Sequence, residues 1–151
     1  APHGLALAGG DPWFCDFGLE LSRSFRALKV WFTFKTYGLK KLGFAVSENC
    51  RLAALLAELI DQSDHFELMN KPVSTIVTFK LKNELNRDRN NKICEQIVTQ
   101  LQLSGEAVFS LTLQQDYRVI RAAVINHRTR EEDIKYVVDR LNQLAIEHLN
   151  T

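Results

Sequence analysis

Long apolar segments, paired cysteines and an excess of charge of one sign are all lacking in this sequence of 151 residues. No apolar run approaches the roughly 20 residues that a membrane-spanning helix needs. The opening APHGLALAGG has neither the basic start nor the long apolar core of a secretory signal. We therefore expect a cytoplasmic protein without a membrane partner.

The residues that commonly bind metals are few and badly spaced. Cys15, Cys50 and Cys94 are an odd number at wide spacing without a CxxC pair, which indicates reduced structural thiols and neither a disulfide framework nor a zinc site. The histidines have no metal-ligand spacing and no serine or cysteine motif beside them: His3, His65, His127 and His148. A metal site and a hydrolase triad are unsupported.

The composition is that of a folded domain. Apolar residues make up 46%, charged residues 25%, and the net charge is +1, which excludes a disordered tail and a nucleic-acid-binding arm. A chain of this length buries about 70% of its unfolded surface, so one domain is expected. Residues 1–18 contain glycine and proline and read as a loop, and because the chain starts with Ala1 we expect a piece of something longer.

The densest apolar stretch is LELSRSFRALKVWFTFKTYG, residues 19–38. Phe25, Leu28 and Phe32 recur at helical spacing, and Trp31 and Phe34 follow the next ridge. A helix with so little polar surface predicts burial on several sides, by the downstream chain and by something else. Gly38 is expected to end it in the left-handed conformation. Six basic residues and no acid lie from residue 22 to 41, but the aromatic residues indicate a core and not a nucleic-acid stacking platform.

The rest of the chain predicts a second helix over residues 39–62, strands over 66–69 and 75–82, and a helix carrying Ile93 to Leu101. Strands over 107–114 and 117–125 follow, joined by a turn at Gln115 and Asp116. Thr129 to Glu132 reads as a TxxE capping box for a last helix. This order favours an α+β fold with an antiparallel sheet of about four strands and helices mainly on one face.

Arg121 stands out because the strand around it is apolar on both faces, which predicts a central, buried position. A guanidinium there stays charged and needs a carboxylate or several carbonyls. An internal ion pair and a bound anionic ligand are both open at this point.

The segments LSRSFRALKVWFTFKTYG, VTFKL and IRAAVINHRTREEDI resemble the C-terminal third of the pyridoxal-phosphate-dependent group II amino-acid decarboxylases, which include aromatic amino-acid, glutamate and diaminobutyrate decarboxylases. The resemblance runs from about Asp11 to near the end of the chain. It implies the small C-terminal domain of a fold-type I enzyme over residues 19–151, with residues 1–18 continuing from a missing cofactor-binding domain.

The resemblance also implies roles for individual residues. Arg121 would bind the substrate's α-carboxylate, with Asn126 and Thr129 in register with the family pattern. Ser22, beside Arg23 and Arg26 at a helix start, would lie near the cofactor phosphate, in one subunit or across a dimer interface. Ser22 stands where glycine is frequent in the family, and a role as a helix cap remains the alternative.

The lysine that binds pyridoxal phosphate in this family follows a histidine, and no His-Lys pair occurs in this sequence. The resemblance therefore implies a carboxy-lyase domain that is inactive alone, from a parent that forms a homo-oligomer, with a dimer implied. The alternative is a stand-alone, non-catalytic interaction or dimerisation module.

Overall fold

The computed structural model describes residue 17, residues 24–82 and residues 86–150. In chain order the elements are α1 (Arg26–Asp61), β1 (Phe66–Leu68), β2 (Ile76–Leu81), α2 (Arg87–Ser104), β3 (Ser110–Gln114), β4 (Tyr117–Ala123) and α3 (Glu131–Leu149). The chain divides into two compact units, Ala1–Leu39 and Lys40–Thr151. The predicted α+β class is confirmed, and the expected leader over residues 1–18 lies almost wholly outside the described residues.

The first unit contains the beginning of α1, and its apolar residues remain exposed. Six large side chains are exposed by 40% to 72%: Phe25, Leu28, Val30, Trp31, Phe32 and Phe34. The predicted burial of this stretch on several sides is not observed for these six side chains, and the hydrophobic core of the second unit begins at Leu52.

Gly38 interrupts α1 with a φ of 75° and a ψ of 157°. The predicted positive φ is confirmed. However, the ψ angle is extended and not left-handed helical, and this combination is accessible essentially to glycine alone. Helical structure resumes after Gly38 and runs to Asp61, in agreement with the second helix expected over residues 39–62.

In the second unit the four strands form one antiparallel sheet in the order β1-β2-β4-β3. Strands β2 and β4 are central, with Val77 opposite Ala122 and Phe79 opposite Ile120. Gln115 and Asp116 connect β3 to β4 with φ angles of 52° and 66°, the sign that a two-residue type I′ hairpin turn requires. The predicted hairpin turn and the antiparallel sheet of about four strands are confirmed.

Helices cover one face of this sheet and form the core with it. The sheet contributes Phe79, whose ring meets the rings of Phe66 and Phe109 edge to face at 5.5 and 6.2 Å, a favoured aromatic geometry. The helices contribute apolar stripes at three- and four-residue spacing: Leu52, Leu56 and Ile60 of α1, Ile93, Ile97 and Leu101 of α2, and Ile134, Val138, Leu141 and Ala145 of α3. The predicted one-sided helix layer follows from these stripes.

One predicted helix end differs from the structure. Helix α2 begins after Asn86, whose Oδ1 accepts a hydrogen bond from the Arg89 amide at 2.9 Å, and ends at Gly105 in the left-handed conformation. Helix α3 begins after Arg130, whose amide donates to Asp133 Oδ2 at 2.8 Å. The predicted TxxE cap at Thr129 is therefore wrong by one residue.

Candidate functional site

The sheet face away from the helices is the candidate site, and we name it the open face. In β2, Val77, Phe79 and Leu81 point into the core, so Ile76, Thr78 and Lys80 point the other way. The pairing register places these β2 residues opposite β4 residues whose side chains lie on the same face. Strands β1 and β3 contribute further residues to this face. The open face carries Ile76, Thr78, Lys80, Glu67, Ser110, Thr112, Gln114, Tyr117, Val119, Arg121 and Ala123.

Arg121 lies at the middle of the open face. It is half-buried, opposite Thr78 of β2 on one side and Ser110 of β3 on the other. Its Nη1 donates to Ser110 Oγ at 3.4 Å. Among the described residues no carboxylate lies within ion-pair distance of Arg121. Its strand is central, as predicted, but Arg121 is half-buried where full burial was expected.

The neighbouring cation, Lys80, is neutralised. Its Nζ forms an ion pair with Glu67 Oε1 on β1, and it lies 4.7 Å from the centroid of the Tyr117 ring. Only 14% of the Lys80 side chain is exposed. The ammonium group thus has both an anion and an aromatic face, which leaves little attraction for a further anion.

The other residues that the resemblance points to have different positions. Asn126 organises the turn after β4, where its Oδ1 accepts from the Arg128 amide at 3.0 Å and its carbonyl accepts from the Thr129 amide at 3.1 Å. Thr129 lines a pocket of about 180 Å³ between the end of β4 and the start of α3. Ser22 and Arg23 lie outside the described residues. Arg26 Nε donates to Ser24 Oγ at 3.3 Å.

Glu106 forms the most extensive side-chain network of the second unit, beside the same pocket. Its Oε2 accepts from Arg140 Nε at 2.9 Å and from the Tyr136 hydroxyl at 3.1 Å. The nearby Ser104 hydroxyl and the hydrogen bonds from Tyr136 and Arg140 lower the pKa of Glu106, against an opposing effect of burial. All of these groups are already paired, so the network is structural and ties the α2–β3 connection to α3.

Sequence reasoning missed Ser110 and the Glu67–Lys80–Tyr117 cluster. The signal for Ser110 was present, because a two-residue turn at Gln115 and Asp116 pairs Gln114 with Tyr117 and hence Ser110 with Arg121. The Glu67–Lys80 pair depends on a register set by the irregular connection of residues 69–75. That register gives no comparable signal in the sequence.

Two classes of feature are absent from the part of the chain that the structure describes. No helix there is both long enough and apolar enough to cross a membrane. No group of three or more histidine, cysteine or acidic side chains comes together there as a metal site would require.

The family model and the relatives that match this chain are all decarboxylases. The model of the pyridoxal-dependent decarboxylase conserved domain matches residues 11–82. An aromatic-L-amino-acid decarboxylase of Bacillus atrophaeus is 33% identical over 91% of this chain and 29% of the relative. A protein of the same name from Drosophila lebanonensis is 29% identical over 93% of this chain and 34% of the relative.

Solved structures share the fold. The Oryza sativa TDC structure with PLP and tryptamine has a TM-score of 0.78 and 21% identity, over 89% of this chain and 29% of that one. The chain thus spans about a third or less of these relatives, and the matching region is their C-terminal part. By sequence, this chain is similar to the C-terminal part of longer pyridoxal-phosphate-dependent group II amino-acid decarboxylases, and solved structures of such enzymes share its fold.

Proposed function

We propose that this chain is the C-terminal domain of a pyridoxal-phosphate-dependent carboxy-lyase that releases CO₂ from an α-amino acid, and that it is inactive without the cofactor-binding part. The observation that carries the proposal is Arg121, a half-buried guanidinium on the open face with no carboxylate partner among the described residues. Such a group favours an anionic ligand, because burying an unpaired charge is costly.

In this proposal Arg121 binds the α-carboxylate of the substrate. A guanidinium presents a planar fork that matches the two oxygens of a carboxylate. The carboxylate loses its charge as CO₂ forms, so the contact is stronger with bound substrate than in the transition state. Arg121 therefore serves binding and orientation.

Pyridoxal phosphate, when bound to the longer protein, supplies the electron sink for cleavage of the bond between Cα and the carboxylate. The residues described here do not supply its lysine, since the family's His-Lys pair is absent from the whole sequence. In this proposal the cofactor-binding domain is the partner that contacts the open face. The family resemblance assigns the cofactor phosphate to Ser22, in this subunit or its dimer partner.

The test is CO₂ release by the longest natural protein that contains this chain, supplied with pyridoxal phosphate and with L-tyrosine, L-tryptophan, L-histidine or L-glutamate in turn. We expect turnover of at least one of these amino acids. The chain of 151 residues alone should release no CO₂ and should give no stoichiometric, borohydride-trappable adduct with pyridoxal phosphate. Such an adduct at a single lysine would contradict the proposal.

We also propose that the first unit mediates self-association, in the parent enzyme and in this chain. The exposed apolar residues from Phe25 to Phe34 support this, because contiguous apolar surface of this kind is a common mark of an interface.

Sedimentation of the 151-residue chain should show a concentration-dependent increase in mass. Phe32→Lys should weaken this association, whereas Val73→Lys, at an exposed position elsewhere, should leave it unchanged. A monomer at all concentrations would contradict this second proposal.

A further inference from the structure

The open face contains one side chain that holds the Arg121 guanidinium, and that side chain is Ser110. The Ser110 hydroxyl accepts from Arg121 Nη1 at 3.4 Å and donates to the Arg121 backbone carbonyl at 3.4 Å. A hydroxyl has one donor and two acceptor sites, so both bonds can exist together. Ser110 therefore links the guanidinium to the backbone of its own residue.

No other immediate neighbour on the open face has a described hydrogen bond to the guanidinium. Along β4 the neighbours are Val119 and Ala123, which have no polar side-chain atoms. Across on β2, Thr78 donates its hydroxyl proton to Asn70 Oδ1 at 2.6 Å. Ser110 is consequently the side chain whose hydroxyl contacts the Arg121 fork within the part of the chain that the structure describes.

The geometry of this contact leaves most of the guanidinium available. Of the five N–H donors of an arginine side chain, the described bond to Ser110 uses one. Two-pronged binding of a carboxylate needs two parallel donors held in a fixed direction. A hydroxyl on one side of the guanidinium restricts its rotation. A carboxylate in the same place would also pair with its charge and would therefore compete with the carboxylate of the substrate.

We propose that Ser110 is a positioning residue, which orients Arg121 for the carboxylate of the substrate. This inference rests on the proposed function, because it needs Arg121 to bind that carboxylate. Ser110 acts on substrate binding through Arg121 and has no role in the chemical step itself.

The test uses the longest natural protein that contains this chain, with the amino acid of the panel that turns over fastest. Ser110→Ala should raise KM by roughly 3- to 10-fold, the effect of one ordinary hydrogen bond, with a much smaller change in kcat. Ser110→Thr keeps the hydroxyl on a strand position that suits a β-branched residue and should restore KM. Thr99→Ala removes a hydroxyl from an exposed position on α2, outside the open face, and it should leave both constants unchanged.

A second measurement separates positioning from a general structural effect. The amine product lacks the carboxylate, for example tyramine where L-tyrosine is the substrate. Its inhibition constant should be the same for Ser110→Ala and for the unmodified enzyme. Weakened inhibition by the amine, or a KM that Ser110→Thr fails to restore, would overturn the positioning role.

Arg121→Lys, measured in the same series, distinguishes an error in the inference about Ser110 from an error in the proposed role of Arg121. If Arg121→Lys raises KM and Ser110→Ala does not, the inference about Ser110 is wrong while the proposed function stands. If neither change affects KM, the carboxylate does not bind at Arg121, and the proposed role of Arg121 and the inference about Ser110 both fail. The lyase function is contradicted separately, by the absence of CO₂ release from every amino acid of the panel.

Discussion

Glu106 has a charge that folding stabilises, because the nearby Ser104 hydroxyl and the hydrogen bonds from Tyr136 and Arg140 lower its pKa below the usual 4.5. A carboxyl whose pKa is lower in the folded state adds stability above its unfolded value, and this contribution is lost as pH falls through the folded-state value. Part of the acid unfolding of this domain should therefore come from this one group.

We expect Glu106→Gln to lower the free energy of unfolding at pH 7 and to have a steadily smaller effect as pH falls below about 4.5. Urea unfolding at pH 7, 5, 4 and 3 measures this. Asp139→Asn, an exposed change on α3, is the matched control and should show little pH-dependent difference. A Glu106→Gln effect that is constant across this range would contradict the assignment.

Cys94 and Cys50 should differ sharply in reactivity. Cys94 is fully buried, and burial raises the pKa of its thiol to about 11, whereas Cys50 is half-buried. Since the thiolate is the reactive form, iodoacetamide at pH 8 should label Cys50 first and reach Cys94 only when the domain unfolds in urea. Peptide mass spectrometry reads out both sites. Equal labelling rates in the native protein would show that Cys94 is accessible.

The hairpin turn between β3 and β4 is strained by its sequence. Gln115 and Asp116 both have positive φ, which costs L-residues with a Cβ roughly 1–2 kcal/mol in left-handed conformations. Asn-Gly is the pair that such a turn favours. Replacing both residues, Gln115→Asn with Asp116→Gly, should raise the free energy of unfolding by about 0.5–1 kcal/mol, measured in urea.

Replacing a glycine that has a positive φ angle tests the same conformational argument at the end of a helix. Gly105 closes α2 at a φ of 74°, so Gly105→Ala should destabilise the domain by about 1 kcal/mol. A turn replacement that destabilised the hairpin would contradict the conformation described for Gln115 and Asp116.

The regular elements could be predicted because each has a clear period and a clear end. The alternation through Val77, Phe79 and Leu81 predicted β2, and Gly105 marked the end of α2. The start of α3 could not be fixed in the same way. Thr129 to Glu132 and Arg130 to Asp133 both offer an acid three residues after a candidate cap, and the structure uses the second.

The site could be predicted only in part. The resemblance singled out Arg121, and the strand pattern predicted its central strand, but no sequence pattern distinguished an open sheet face from a covered one. The exposure of Trp31 and Phe32 could be predicted only in part, for a related reason. Apolar periodicity shows that a helix face favours burial without showing which molecule covers it.

The sheet of the second unit, Lys40–Thr151, has one face that is covered by helices and one open face. The core lies on the covered face, whereas the open face holds Lys80, which pairs with Glu67, and Arg121, which has no carboxylate partner among the described residues. Relatives are about three times longer than this chain. These observations together support a domain whose open face is completed by the cofactor-binding part.

The most direct measurement is the steady-state kinetics of Arg121→Lys in the longest natural protein that contains this chain. Lysine keeps the charge and loses the planar fork, so kcat/KM should fall roughly 10- to 100-fold, the range for a charge-assisted hydrogen bond. The thermal midpoint and the cofactor absorbance should be nearly unchanged. Arg118→Lys is the matched control, because Arg118 lies on the same strand, outside the open face, and pairs with Glu95 at 2.6 Å. An Arg121→Lys enzyme with normal kinetics would contradict carboxylate binding at Arg121.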